Sequence, residues 1–338
     1  MNAEVGNTPT MSAVIQDAYG AAPEPTLRFA EAPRPVPSPG EVLVRVRAAS
    51  VDRGTWHVMS GQPYLMRIAG FGLRAPKALN PGRCLAGTVE QMGSEVPGFE
   101  IGEEVYGTSV GSFAEYCLVK PGKLAAKPAT LSFEQAAAVP VSAITALQAI
   151  RDHGRVQPGQ SVLITGASGG VGSFAVQIAT AFGAEVTAVC SARKADLVRA
   201  LGADHVLDYA GDDFTNDALR YDAIVDIAGN RRLSELRRVL TPHGTLVLVG
   251  GESNGRWLGG VGRVVQARLL SPFVSQNLRT FVTSENAADL DVLGDLVENG
   301  QVTAAVDRTF PLAEVPAAIR WMLDGHARGK VVITTTAQ

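Results

Sequence analysis

The stretch Val162-Leu163-Ile164-Thr165-Gly166-Ala167-Ser168-Gly169-Gly170-Val171-Gly172-Ser173-Phe174-Ala175-Val176-Gln177-Ile178-Ala179 constrains this chain more than any other. An apolar run of strand length ends in a glycine-rich turn, and a helical pattern starts at once. At such a βα turn, backbone N–H groups and the helix N-terminus together make a site for a pyrophosphate. Glycine lets the backbone approach a phosphate where a Cβ would stand in the way. The spacing reads Ala167-x-Gly169-x-x-Gly172, so the first glycine of the usual fingerprint is replaced, and a purely structural turn also fits the pattern taken alone.

The segment after the helix bears on the choice. A second apolar run, Glu185 to Cys190, leads into Ser191-Ala192-Arg193-Lys194. A fingerprint for NAD places a carboxylate at the end of that second strand, to hold the ribose 2′-hydroxyl. Here a hydroxyl and two cations stand instead, which suits a 2′-phosphate through charge-assisted hydrogen bonds. The expected cofactor is therefore NADPH in preference to NADH. A solvated basic helix start is the other reading of the same residues.

The 338 residues are enough for two domains, each with its own core. A formal net charge of −3 leaves no basic footprint for nucleic acid. No run of about 18 apolar residues exists to span a membrane. The three cysteines, Cys84, Cys117 and Cys190, are far apart and odd in number, which argues for free thiols in a reducing compartment, the cytoplasm. Residues 1–10 are polar and are expected to be a disordered lead-in.

The rest of the chain divides into three regimes. Residues 11–138 read as β-rich: Glu41 to Ala48 alternates apolar and polar, and shorter pieces cover 87–90, 104–107 and 113–119. Residues 139–299 alternate strands, at 161–165, 185–190, 205–208, 223–227 and 245–249, with helices, the mark of a doubly wound parallel sheet. Gly250-Gly251, after the last of these, suits a ligand at the carboxyl edge of the sheet. Residues 300–338 hold a strand-like 302–306, a helix near 313–324 and a strand at 330–334 expected to return to the first domain.

The glycine turn, Val189-Cys190-Ser191-x-x-Lys194, Leu201-Gly202-Ala203-Asp204 with Asp208-Tyr209, Phe310-Pro311-Leu312 and Gly325-His326-Ala327-Arg328-Gly329-Lys330-Val331-Val332-Ile333 resemble the medium-chain dehydrogenase/reductase superfamily. Within it the chain is most similar to the zinc-free quinone oxidoreductases, the group of zeta-crystallin and the reticulon-interacting oxidoreductases. The resemblance implies an α/β fold in which a Rossmann doubly wound sheet, residues 139–299, is inserted into a β-rich GroES-like catalytic domain, residues 11–138 plus 300–338. It also implies a homodimer.

Zinc-dependent members hold their catalytic metal with a Cys, a Gly-His-Glu and a further Cys or Asp. The corresponding positions here resemble Asp52, Gly82-Arg83-Cys84 and Val141, and a cationic Arg83 repels a metal ion. No metal is expected. Asp52 stands where relatives carry Asn near the nicotinamide, so it either tunes the reaction pocket or bonds nearby backbone, Arg53 or Arg83. Cys84 is either a small buried hydrophobe or a reactive thiol.

By the same resemblance Thr145 lies against the nicotinamide and its ribose, and Gly169, Gly170 and Val171 meet the pyrophosphate. Ser191, Arg193 and Lys194 take the 2′-phosphate, with Tyr209 on the adenosine side. Val249 and Gly250 border the nicotinamide ribose, Phe281 and Val282 offer backbone groups to the carboxamide, and Lys330 lies near the cofactor. Without a Lewis acid, hydride delivery suits acceptors already electrophilic: quinones, or alkenes conjugated to a carbonyl. Asp52, Tyr64 and His57 are the candidate donors or orienting groups. Apolar segments at 60–80 and 256–274 favour a hydrophobic acceptor or an oligomer surface. A metal-free reductase of another carbonyl, or an NADPH-binding regulatory protein with little turnover, are the other readings.

Overall fold

The parallel sheet forms where the apolar runs are uninterrupted, and the antiparallel one where apolar and polar residues alternate. The computed structural model describes residues 9–216, 219–250, 255, 257 and 259–335. Residues 1–8 of the expected lead-in, together with Gly251 and Leu258, lie outside the described residues.

Seven antiparallel or mixed strands make the first large sheet. They are β3 (Val42–Val51), β4 (Cys84–Met92), β5 (Glu104–Thr108), β6 (Tyr116–Val119), β7 (Leu124–Ala126), β14 (Val306–Pro311) and β15 (Lys330–Thr334). Their order is β14-β15-β3-β4-β5-β7, with β6 also pairing β3. A hairpin of β1 (Thr10–Gln16) and β2 (Leu27–Pro33) is tied to this sheet by a bridge between Ala13 and Ala114.

The second sheet is six-stranded and parallel, in the order β10-β9-β8-β11-β12-β13. Its strands are β8 (Ser161–Thr165), β9 (Glu185–Cys190), β10 (His205–Asp208), β11 (Tyr221–Asp226), β12 (Leu240–Leu248) and β13 (Asn277–Thr280). In β8, Val162, Leu163 and Ile164 are all fully buried, because helices cover both faces of a parallel sheet. Val162 and Ile164 face one core and Leu163 the other, the period-two alternation of a strand. This is the doubly wound sheet expected from the sequence.

Two elements depart from expectation. The strand expected from 245 begins at Leu240, which pairs Tyr221; the register then shifts, and regular pairing resumes at Thr245. The intervening Pro242 and Gly244 break the apolar run that would have disclosed the extension. Residues 302–305 are not a strand: Gln177 accepts from the Thr303 N–H at 2.8 Å and donates to its carbonyl at 3.0 Å. A side chain there takes the place of a ladder, and β14 starts only at Val306.

The tail returns as expected. β15 runs antiparallel to β3 and parallel to β14. Val331 and Ile333 enter the core of the first sheet, while Val332 enters the core shared with the parallel sheet. This strand therefore joins the two cores. Ile333→Ala, at a fully buried position, is expected to cost about 2–5 kcal/mol through lost burial and the cavity left behind. The drop in thermal midpoint measures it.

Candidate active site

The glycine turn caps the N-terminus of the helix Gly170–Ala181, with Gly169 as the extended N-cap residue. The left-handed residue that turns the chain is Gly166, at φ 69°, one position before the replaced glycine of the fingerprint. Gly172 lets the helix close onto the strand: a Cβ there would stand 2.7 Å from the Ala167 Cα. Val171 is half-buried in the first helical turn.

Directly beside this turn lies Lys330. Its side chain is 1% exposed, and its Nζ donates to the Ser142 Oγ at 3.1 Å. A Cβ on Gly170 would stand 3.1 Å from the Lys330 Cδ. The tail is held there because Gly329 N–H donates to the Ser168 carbonyl at 3.1 Å. A buried ammonium next to the positive end of a helix is electrostatically unfavourable unless an anion joins them. The donor set therefore fits a pyrophosphate.

Beyond β9, Ser191 opens a short turn that presents Arg193 and Lys194. Arg193 donates to the Gly325 carbonyl at 3.3 Å, and Lys194 to the Gly325 and Ala327 carbonyls at 3.1 and 2.5 Å. Burial, then the Arg193 charge, hold the Lys194 ammonium below its ordinary pKa; Asp307 opposes this and Arg328 adds to it. Arg328 is thus a third cation of the cluster, and the sequence motif of the tail contained it without marking its role. Tyr209 is half-exposed nearby, its N–H donating to the Cys190 carbonyl.

At the other end, Thr145 is buried, and its hydroxyl bonds the Val141 carbonyl at 2.7 Å and the Thr283 hydroxyl at 2.9 Å. Thr283 belongs to the loop carrying Phe281, which stacks on His153, and Val282, which is 94% exposed. Gln148 clasps that loop, donating to the Ser284 carbonyl at 2.7 Å and accepting its N–H at 3.0 Å. Val249 and Gly250 lie at the carboxyl end of β12, their N–H groups donating to the Asp226 carbonyl. The Asp226 side chain is fully buried and accepts from Thr165 at 2.7 Å and Arg263 at 2.6 Å.

The four positions matched to a metal site do meet. Cys84 Sγ lies 3.5 Å from Asp52 Oδ2, with the Val141 backbone beside the thiol. Asp52 Oδ1 accepts the Thr55 N–H at 2.8 Å, capping the helix Arg53–Ser60. Arg83 is ion-paired to Glu285, whose second oxygen lies 3.2 Å from Lys123 Nζ. Burial alone would lower the Arg83 pKa, but the Asp52 and Glu285 carboxylates carry it above its ordinary value. One thiol and one carboxylate beside a guanidinium do not fit a zinc ion. Among the described residues no group of three or more His, Cys, Asp or Glu could hold a metal.

Arg83 and Glu285 line a pocket of about 560 Å³ with apolar walls that include Val58, Phe71, Pro76, Val110 and Leu118. Tyr64 is not among its lining residues; its ring packs edge-to-face on Trp257, with the Arg67 guanidinium 4.6 Å from its centroid. His57 Nδ1 lies 2.7 Å from the Gln62 carbonyl oxygen. The Arg83–Glu285 pair escaped sequence reasoning because its members are 202 positions apart.

A doubly wound parallel sheet joined to a β-rich domain, with an apolar pocket beside the loop that meets Thr145, is the architecture of a class of nicotinamide-dependent oxidoreductase. Residues 38–129 match the family model for an alcohol dehydrogenase GroES-like domain, and residues 201–333 that for a zinc-binding dehydrogenase. The chain belongs to the medium-chain dehydrogenase/reductase superfamily. It is 33% identical to the mitochondrial NAD(P)H oxidoreductase RTN4IP1 of Bos taurus, over 96% of this chain and 89% of that protein. It is 32% identical to a 2-methylene-furan-3-one reductase of Solanum lycopersicum, over 87% of this chain and 71% of that one. The quinone oxidoreductase structure from Coxiella burnetii superposes with a TM-score of 0.83 at 27% identity, covering 97% of this chain and 100% of that one. Among the described residues no helix is long and apolar enough to cross a membrane.

All three thiols are buried, and burial, followed for Cys84 by the Asp52 charge, pushes Cys84 and Cys117 up to about 12 from 9.0. Below pH 9 both folded and unfolded thiols keep their protons, so the stabilising contribution is complete. Between pH 9 and 12 the unfolded thiols ionise first, and stability falls. By pH 10 each thiol is expected to have cost about 1.4 kcal/mol. Melting temperatures from pH 8 to 11 should fall more steeply for the native chain than for Cys84→Ala/Cys117→Ala.

Proposed function

We propose that the chain is a zinc-independent, NADPH-dependent oxidoreductase whose acceptor is a quinone or an alkene conjugated to a carbonyl. The observation that carries this is the meeting of two sites at one loop. Thr283 touches Thr145 at the expected nicotinamide end, and two residues later Glu285 lines the apolar pocket. The names of the tomato and Coxiella relatives support the same acceptor classes, and that of the bovine relative supports a nicotinamide-dependent oxidoreductase.

The cofactor, when bound, supplies a hydride. The chain does the rest. The turn at Gly169, Gly170 and Val171 and the Lys330 ammonium hold the pyrophosphate. Ser191, Arg193, Lys194 and Arg328 hold the 2′-phosphate, with Tyr209 beside the adenosine. Val249 and Gly250 border the ribose, and the backbone at Phe281 and Val282 meets the carboxamide. The apolar pocket walls exclude water and orient a hydrophobic acceptor. Asp52 tunes the pocket rather than giving up a proton, since Oδ1 caps a helix and Oδ2 faces Cys84. Tyr64 is committed to Trp257 and Arg67, so water is the better source of the α-proton.

The same reading includes a homodimer formed at the edge strand β13, which is flanked by Phe273 and Val282, 84% and 94% exposed. A reducing compartment, the cytoplasm, suits the buried free thiols.

Oxidation of NADPH and NADH is to be followed with a strong chelator present, against quinones and conjugated enones. NADPH is expected to be preferred about tenfold or more, with turnover unchanged by the chelator. Arg193→Ala/Lys194→Ala should abolish that preference while leaving NADH turnover in place. Failure to reduce any acceptor, or loss of turnover with the chelator, contradicts the proposal.

A further inference from the structure

We infer that Arg83 receives the acceptor's carbonyl oxygen: its guanidinium, lining the pocket between Asp52 and Glu285, is the group that binds that oxygen as it becomes negative. The inference rests on the acceptor reading above and adds the residue that polarises the acceptor. Arg83 enters the pocket from the residue just before β4, and its side chain is 30% exposed, open to a ligand. One of its terminal nitrogens donates to Glu285. The other lies near Asp52: a Cβ built on Gly54 would stand 2.6 Å from Arg83 Nη1 and 2.9 Å from Asp52 Oδ1. A guanidinium has five N–H donors in a fixed plane, so one bond to Glu285 leaves donors for a ligand.

The plane is set before any ligand arrives. Glu285 also holds Lys123 at 3.2 Å, and its loop is pinned by Gln148 to Ser284 and by Thr145 to Thr283. Gln148 and Arg151 in turn bond the buried Asp289, which accepts from them at 2.7 Å each. A donor fixed in a half-dry pocket stabilises developing charge without reorganising during the reaction. Lys77, Lys120 and Lys123 also line the pocket, but Arg83 is the cation set between two carboxylates, Asp52 and Glu285, and so the one whose donors are fixed in direction.

The electron count is simple. A conjugated enone takes up a hydride at its β-carbon; the alkene π pair moves toward the carbonyl carbon, and the carbonyl π pair moves to oxygen. The resulting oxyanion is held by Arg83 until the α-carbon takes a proton from water and the carbonyl re-forms. The acceptor gains a hydride and a proton and is reduced, and NADPH becomes NADP⁺. For a quinone the same oxygen becomes that of the hydroquinone.

The test uses 4-nitrophenol as an oxyanion probe with the NADP⁺-loaded protein, read at the phenolate absorbance. Binding to the native protein should lower the phenol's apparent pKa by about one unit, a tenfold preference for the anion. Arg83→Gln should abolish that shift, while Arg83→Lys keeps part of it. In turnover Arg83→Gln should lose about a hundredfold in kcat, with the loss growing as the acceptor becomes less electron-poor and the KM for NADPH unchanged. An equal phenolate fraction in native protein and Arg83→Gln overturns the assignment, as does an equal loss across all acceptors. A native protein that shifts the phenol yet reduces no enone or quinone would instead sink the acceptor reading and leave Arg83 as an anion-binding residue.

Discussion

Lys330 carries a buried positive charge beside the positive end of a helix, at the place where the returning strand meets the glycine turn. The ammonium has one hydroxyl partner, Ser142, where it can donate three hydrogen bonds. Such a charge is tolerated because β15 locks its backbone between β14 and β3 and because Gly329 is tied to the glycine turn. The last strand thus joins the two cores, and in the proposed reading it also delivers a cation to the phosphate site. A dinucleotide pyrophosphate would satisfy the ammonium and the helix end together.

From that anchor the proposed cofactor site extends in both directions. On one side Arg193, Lys194 and Arg328 form a cluster of like charges, in which Arg193 and Lys194 donate to carbonyls of the tail loop. Exchange of those weak partners for a phosphate is what the proposed NADPH preference requires. On the other side the hydroxyl pair Thr145 and Thr283 joins the loop to the helix Pro140–Leu147. The same loop sends Glu285 to Arg83 and Lys123, so the geometry of the apolar pocket depends on the loop that also meets Thr145.

The sequence disclosed what is local and periodic. The β8 strand, its glycine turn and the following helix were legible because an apolar run, glycines and a helical pattern succeed one another without a gap. The returning β15 strand and the grouping of Asp52, Arg83, Cys84 and Val141 were legible through resemblance. Less visible was anything settled by tertiary partners. Gly166 takes the left-handed turn, although the fingerprint looks one residue later. Residues 302–305 have a strand-like pattern, yet both backbone groups of Thr303 are satisfied by the Gln177 side chain and the Val302 N–H by the Leu296 carbonyl, so pairing with β15 reaches back only to the Ala305 carbonyl. Tyr64, an attractive proton donor by residue type, is held by Trp257 and Arg67. The Arg83–Glu285 pair joins residues that no local pattern connects.

The proposed role of Lys330 is to hold the dinucleotide, at a cost to the cofactor-free protein. Lys330→Met tests this most directly, with calorimetric binding of NADPH and NADH set beside the melting temperature of the cofactor-free variant. Removing a buried charge that has no carboxylate ion-paired to it among the described residues should leave the free protein as stable or more so, while affinity for both dinucleotides falls by about tenfold or more. Unchanged affinity for both, with a destabilised free protein, would make Lys330 a packing residue and contradict that role.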